Sequence, residues 1–132
     1  MIPSMVTAAE VLRGRCRAPR RPLVAVAPGS GLVTRAAVAG GADLVLALNA
    51  GLYRSLGAGS LAAFLANGDA NAETLDLLRV HVLPQADETP VVAGVLACAP
   101  GLDLDAHLRA LADLGVAGIT NWPAAGFVDG RF

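Results

Sequence analysis

The chain has 132 residues, a formal net charge of −1, 55% hydrophobic residues and 16% charged residues. This composition excludes an intrinsically disordered chain, and the length suits one domain with a buried core. The longest uncharged apolar stretch, residues 90–102, is shorter than the roughly 20 residues of a membrane-spanning helix and contains Gly94, Pro100 and Gly101, so no such span is predicted.

The first residues, Met1 to Ser4, lack the basic segment and apolar core of a secretory signal. Cys16 and Cys98 stand alone, without CxxC spacing, which argues against a disulfide framework and a zinc site. We therefore expect a reducing compartment, the cytoplasm.

A cluster of arginines lies near the start of the chain: Arg13, Arg15, Arg17, Arg20 and Arg21. No aromatic residues are interleaved with it, so a nucleic-acid interface is disfavoured. Residues 1–21 are interpreted as a solvated N-terminal helix, over residues 7–15, followed by an arginine-rich linker.

Four apolar runs follow, and each predicts a strand: residues 23–27, 43–48, 91–96 and 116–120. Between them, residues 32–39, a segment ending at Pro84 and a segment from Asp103 to Gly115 predict helices. Continuous apolar runs are typical of parallel strands buried on both faces. The predicted fold class is α/β, with parallel βα repeats over residues 22–132 that form half of a TIM barrel, which needs roughly 250 residues when complete.

The connection after the second strand is predicted to be a long loop. It begins at Asn49, contains a short helix over residues 60–65, and ends at Gly68-Asp69-Ala70-Asn71, where Asp69 or Asn71 can cap the next helix. Long ordered loops are usually functional.

Polar and glycine residues follow the apolar runs where the strands are predicted to end. In chain order they are Gly29, Ser30, Gly31, Asn49, Gly51, Cys98 and Asn121. The carboxyl ends of parallel strands converge on one edge of the fold, where such proteins build their sites. The Gly-Ser-Gly triplet, at a helix start, suits a phosphate or carboxylate held by backbone amides.

Two acids admit two interpretations each. Asp69 and Asp129 suit proton transfer or magnesium binding, but Asp69 also suits a helix cap, and Asp129-Gly130 a turn. His81 and His107 lie on predicted helices, away from the strand ends, and are interpreted as surface or partly packed side chains.

Segments 40–71, 89–94 and 121–132 together resemble the phosphoenolpyruvate hydrolase-like family, the TIM-barrel signal transduction proteins that also form the C-terminal domain of Tm-1-like proteins. The resemblance implies a barrel related to phosphoenolpyruvate mutase enzymes, with a small phosphorylated or carboxylate ligand at the strand ends. We assign catalytic candidates Asp69, Asn49 and Asn121, and ligand-binding candidates Gly29, Ser30, Gly31, Gly51, Ser60 and Asn71. Magnesium is the candidate cofactor.

The sequence also departs from this family. Ala99 stands where relatives carry the acid of a Thr-Asp-Pro motif, Leu52 and Ala58 stand where arginines are common, and Ala124 where threonine is common. Two functions therefore remain open: hydrolase or lyase chemistry, or a non-catalytic ligand-binding or protein-interaction module, including an inactive truncated barrel.

Residues 129–132 resemble the middle of the family domain, so we expect the chain to be its N-terminal half. Four strands leave two sheet edges unpaired, which predicts self-association. The expected partners are a small anionic metabolite and further copies of the chain, with no nucleic acid and no membrane.

Overall fold

The computed structural model describes residues 7–17, 21–65 and 67–124, which form a four-stranded parallel sheet with helices around it. The strand order follows the chain, β1-β2-β3-β4. The elements are α1 Ala8–Arg17, β1 Ala25–Val26, α2 Gly31–Ala39, β2 Leu44–Ala47, α3 Asn49–Ser55, α4 Ala70–Asp76, β3 Val91–Val95, α5 Leu104–Asp113 and β4 Gly118–Asn121. None of the described helices has the length and apolar character needed to cross a bilayer.

The predicted α/β class and parallel strand pairing are confirmed, but two elements differ from expectation. β1 contains only Ala25 and Val26, fewer residues than predicted, because it lies at the edge and pairs on one side among the described strands. The loop predicted after Asn49 is wrong for its first residues, since α3 begins at Asn49 itself. A 3₁₀ helix over Ser60–Phe64 matches the short helix expected there.

The register divides the sheet into two faces. Val45 pairs with Val91 and Ala47 with Ala93, and partners in a parallel sheet point to the same side. We call this side the helix face, because it packs against the helices in a core of Val45, Ala47, Leu77, Leu78, Val82, Ala86, Val91, Ala93, Val95 and Leu111. The opposite side is the inner face, where Leu46 and Trp122 pack against Leu48 in a smaller cluster.

The helix that begins as α4 widens in its second half. Residues Leu77–Val82 form a π-helical segment, and a 3₁₀ turn over Leu83–Gln85 completes the helix. Leu77, Leu78 and Val82 are almost fully buried. The widened segment therefore supplies the largest apolar contacts to the helix face, and Pro84 lies within the final turn.

Asp43 ties the arginine-rich segment to the amino-terminal end of the sheet. Its Oδ2 accepts hydrogen bonds from Val24 N and Arg21 Nη1, both at 2.8 Å, and Oδ1 accepts from Arg21 Nη2 at 2.9 Å. The Val24 N–H, and then the Arg21 guanidinium, hold the pKa of Asp43 below its usual value. Arg15 of α1 donates to the Asp43 carbonyl oxygen, so Arg15 and Arg21 both have a structural partner.

Gly29 and Gly51 bring two backbone segments into direct contact. A Cβ added to Gly51 would collide with the Pro28 carbonyl oxygen, and one added to Gly29 would collide with the Gly51 carbonyl oxygen. Both glycines are buried. The absence of a side chain at each position therefore lets the end of β1 pack on the start of α3.

We expect Gly51→Ala to lower the free energy of unfolding by about 2 kcal/mol, because the added methyl group forces the two backbones apart. Gly59→Ala is the matched control, since Gly59 has φ −71° and nothing within 4 Å of an added Cβ. Urea unfolding followed by the fluorescence of Trp122, the chain's single tryptophan, measures both variants. Equal unfolding midpoints for the two variants would contradict the assigned packing role.

Candidate functional site

A cavity of about 450 Å³ opens at the carboxyl ends of β3 and β4. Its walls include Phe64, Asp69, Leu96, Cys98, Ala99 and Pro123. These residues come from the 3₁₀ helix, the start of α4 and the segments that follow β3 and β4. Its position matches the edge where parallel α/β folds carry their ligand sites.

Asn71 fixes the start of α4 against the end of β3. Its Nδ2 donates to the Leu96 carbonyl oxygen at 3.1 Å, and its Oδ1 accepts from Leu96 N at 2.9 Å. The side chain is almost fully buried. Both amide atoms of Asn71 thus bond to the backbone that forms one wall of the cavity, so the side chain positions the wall.

Asp69 lies in the cavity wall and caps α4. Its Oδ1 accepts hydrogen bonds from Asn71 N at 2.9 Å and Ala72 N at 3.1 Å. Of the two interpretations of Asp69, the cap is observed, and the carboxylate also borders the cavity. Asp129, the other acid with two interpretations, lies outside the described residues.

Asn49 bonds to a carboxylate that the sequence analysis did not identify. Asn49 Nδ2 donates to Glu73 Oε2 at 3.2 Å and to the Ala63 carbonyl oxygen at 3.3 Å, and Tyr53 Oη donates to Glu73 Oε1 at 2.8 Å. The hydrogen bond to Glu73, with burial and the carboxylate charge, raises the pKa of Tyr53. Because Ala63 lines the cavity, this network connects α3 and α4 to the cavity wall.

Arg54 places a positive charge at the same end of the sheet. Its Nη1 donates to Ser60 Oγ at 2.9 Å and its Nη2 to the Ala27 carbonyl oxygen at 2.8 Å. Ser60 is therefore engaged as a hydrogen-bond acceptor, and Arg54 joins the end of β1 to the 3₁₀ helix.

The Gly-Ser-Gly triplet lies apart from this cavity. Ser30 caps α2, with its Oγ accepting from Val33 N at 3.4 Å. Ser30 and Gly31 border a separate open groove together with Leu32, Arg35, His81 and Gln85. Ser30 and Gly31 share no lining residue with the strand-end cavity, and Gly29 and Gly51 are occupied by the backbone contact described above.

Asn121 is also separated from the other candidates. It pairs with Val95, so its side chain lies on the helix face, where it is exposed. The next residue, Trp122, lies on the inner face and makes an edge-to-face contact with Phe64, with ring centroids 4.9 Å apart. The cavity therefore brings Asp69 together with Cys98, while Asn49 and Asn71 support its walls from behind.

Glu73 lies four residues after Asp69, a spacing typical of two residues on one side of a helix, but the pattern does not indicate what Glu73 binds. Its partners are distant in sequence, since Tyr53 lies 20 residues away and Asn49 lies 24 residues away. Phe64 gave no comparable signal, because a single aromatic in a loop is equally typical of packing.

The described cavity offers a resident magnesium ion few protein ligands. Asp69 is the carboxylate among the named wall residues, and its Oδ1 already accepts two backbone hydrogen bonds. Within residues 7–17, 21–65 and 67–124, no three His, Cys, Asp or Glu side chains are grouped as metal ligands. Ala99 contributes a methyl group to the wall and no side-chain oxygen that could bind a metal.

Comparison with known proteins identifies relatives. The chain is 41% identical over 121 residues to y4pA of Sinorhizobium fredii, named as a transcriptional regulatory protein, in a match covering 92% of this chain and 20% of that protein. It is 38% identical over 112 residues to the ToMV resistance protein Tm-1 of Solanum lycopersicum, covering 85% of this chain and 15% of that protein. The chain thus corresponds to a small part of each relative.

Three solved structures share the fold. A phosphonopyruvate hydrolase in complex with oxalate and Mg²⁺ matches with a TM-score of 0.59 and 17% identity, over 95% of this chain and 43% of that one. A phosphoenolpyruvate phosphomutase from Streptomyces platensis subsp. rosaceus matches with a TM-score of 0.61 and 23% identity, over 93% of this chain and 42% of that one. A 2,3-dimethylmalate lyase of the PEP mutase/isocitrate lyase superfamily matches with a TM-score of 0.54 and 27% identity, over 88% of this chain and 39% of that one.

The fold is therefore part of a TIM barrel of the PEP mutase/isocitrate lyase type, of which the chain spans about 40%. The family model for phosphoenolpyruvate hydrolase-like proteins matches residues 8–132, nearly the whole sequence. The chain belongs to the phosphoenolpyruvate hydrolase-like family.

Proposed function

We propose that the strand-end cavity binds a small carboxylate-bearing metabolite, a 2-oxo acid or its phosphorylated relative, and that this chain forms the first half of the barrel around it. The cavity carries the proposal: about 450 Å³ suits a small metabolite, and it opens where barrels bind their ligands. Hydrogen bonds from Asn71 and Asn49 hold the wall to α4 and the 3₁₀ helix without a ligand.

The expectation of an anionic ligand rests on the structural relatives. Arg54, the cation at the strand-end edge, bonds near the end of β1 and does not line the cavity. One solved structural relative is a phosphonopyruvate hydrolase with bound oxalate, and another is named for phosphoenolpyruvate. Oxalate is therefore the probe of choice, because it is small, stable and dianionic.

Binding without turnover fits these residues better than catalysis. A general acid or base needs a carboxylate free to exchange a proton with the ligand. The Asp69 carboxylate serves as a helix cap, and Ala99 offers no ionisable group. Hydrolase or lyase chemistry in this family member would have to use Asp69, Cys98 or groups outside the described residues.

Oxalate is expected to change the fluorescence of Trp122 in a saturable way, because Trp122 contacts Phe64 of the cavity wall. Ala99→Leu fills the cavity and should abolish the change. Ala112→Leu, at an exposed position of α5, is the matched control and should retain it. A folded wild type that gives no signal, or a signal that Ala99→Leu leaves intact, would refute binding at this site.

Ala99→Asp should make oxalate binding dependent on magnesium, because it adds a second carboxylate to the wall that holds Asp69. Titrations with and without Mg²⁺ measure the effect, and the wild type should show little difference between them. Ala112→Asp controls for the added charge. Unchanged oxalate affinity of Ala99→Asp on addition of Mg²⁺ would show that the missing acid is not what prevents metal binding.

Glu73→Gln should lower the pKa of Tyr53 toward its ordinary value of about 10, because the variant removes the carboxylate charge beside the phenol. Tyr53 is the chain's single tyrosine, so absorbance at 295 nm reports it alone. In the wild type the raised pKa stabilises the fold below about pH 10, and this contribution is lost as the pH rises through the folded-state value. Asp76→Asn, exposed on α4, is the control. Coincident titration curves for wild type and Glu73→Gln would remove Glu73 from the network.

A further inference from the structure

Both edges of the sheet carry an exposed β-branched side chain. Val24 precedes β1 and is 51% exposed, and Ile119 of β4 is 52% exposed. Among the described strands, β1 pairs only with β2 and β4 only with β3. The outer side of each edge strand therefore offers unpaired backbone groups beside apolar surface.

The two edges are complementary. All four strands are parallel and lie in chain order, so the free side of β4 can pair with the free side of a β1 strand in the same direction. The solved barrels that match the chain are somewhat more than twice as long as the matched part. Two copies would supply the eight strands of a closed barrel.

The observed strand partners determine the register of such a barrel. Ile119 pairs with Ala93, and Ala93 with Ala47. Because Leu44 pairs with Ala25, extending the register places Ala47 level with Pro28. In a TIM barrel, a line of paired residues followed once around all eight strands returns to its starting strand about eight residues nearer the amino end. Half of that circuit, one of two equal halves, therefore shifts the line by about four residues.

The line of paired residues that leaves Ile119 therefore reaches the first strand segment of the second copy about four residues before Pro28, at Val24. This shift is toward the amino end of the strand, because barrel strands coil with a right-handed tilt and their crossovers are right-handed. Val24 lies two residues before Val26, which pairs with Val45 of the helix face, and Ile119 pairs with Ala93 of the same face. The two exposed side chains thus meet on one side of the sheet.

We propose that a second copy of this chain closes the barrel, with β4 of each copy paired to β1 of the other in a two-fold symmetric dimer. Each copy then places its Val24 beside the Ile119 of the other copy. With β1 and β4 both paired, none of the described strands keeps a free edge, so association through these edges stops at two copies. The two strand-end cavities lie around one barrel mouth.

Sedimentation velocity of the purified chain at about 10–100 μM, the range in which weak homodimers form, tests the proposal. A discrete dimer is expected. A monomer throughout this range would overturn the proposal, and so would a broad distribution of larger aggregates, because both outcomes leave the edges without a second copy as their specific partner.

Ile119→Lys should weaken the dimer about a hundredfold, because it places two charges at apolar contacts. Val80→Lys, at a position 65% exposed on the π-helical segment, is the matched control and should remain dimeric. Dissociation of both variants alike would indicate non-specific association and overturn the edge contact. Far-UV circular dichroism and the Tyr53 titration verify that each variant is folded.

The double variant Val24→Glu with Ile119→Lys tests the register. It places opposite charges at both copies of the proposed contact, so the dimer should recover at least about tenfold relative to Ile119→Lys alone. Recovery would support the Val24 to Ile119 pairing. A double variant that dissociates as readily as Ile119→Lys alone would overturn it.

Discussion

The hydrogen bonds between the Asn71 side chain and the Leu96 backbone hold the candidate site together. Leu96 directly follows β3, and the Asn71 side chain supplies one donor and one acceptor to the Leu96 backbone. The same contact fixes the first turn of α4 at the sheet edge. Asp69 is thereby held in the cavity wall and Glu73 is held one turn further along, facing α3. Two side-chain hydrogen bonds therefore determine where both acids lie.

The two acids have different environments and different uses. Asp69 is exposed and accepts from backbone N–H groups, an arrangement that stabilises the start of the helix. Glu73 is partly buried and accepts from two side chains, Tyr53 and Asn49. Its charge serves to join helices rather than to face a ligand. The cavity consequently has a rigid wall with little ionisable chemistry of its own, which is the basis for proposing binding over catalysis.

The sequence predicted β3 well because burial on both faces leaves a continuous apolar run, whereas β1, which is not buried, is shorter than its apolar run. It missed α3 because that helix is short and its N-cap, Leu48, makes no side-chain cap hydrogen bond that a pattern could reveal. It did not reveal the close approach of Gly29 and Gly51, because a contact between distant backbone segments leaves no local signature. Glu73 was missed for the same reason, since α3 and α4 come together only in the folded chain.

The π-helical segment determines the directions in which the side chains before and after it point. In an ordinary α-helix, residues five apart point in clearly different directions, whereas in a π-turn their directions lie closer together. Leu77 and Val82 are five apart, and both are buried against the sheet. The wider turn thus lets the amino-terminal half present Asn71 to β3 while the later half keeps its apolar side chains on the core. Removing one residue here would rotate the two halves relative to each other, so the length of this helix is constrained as strictly as its composition.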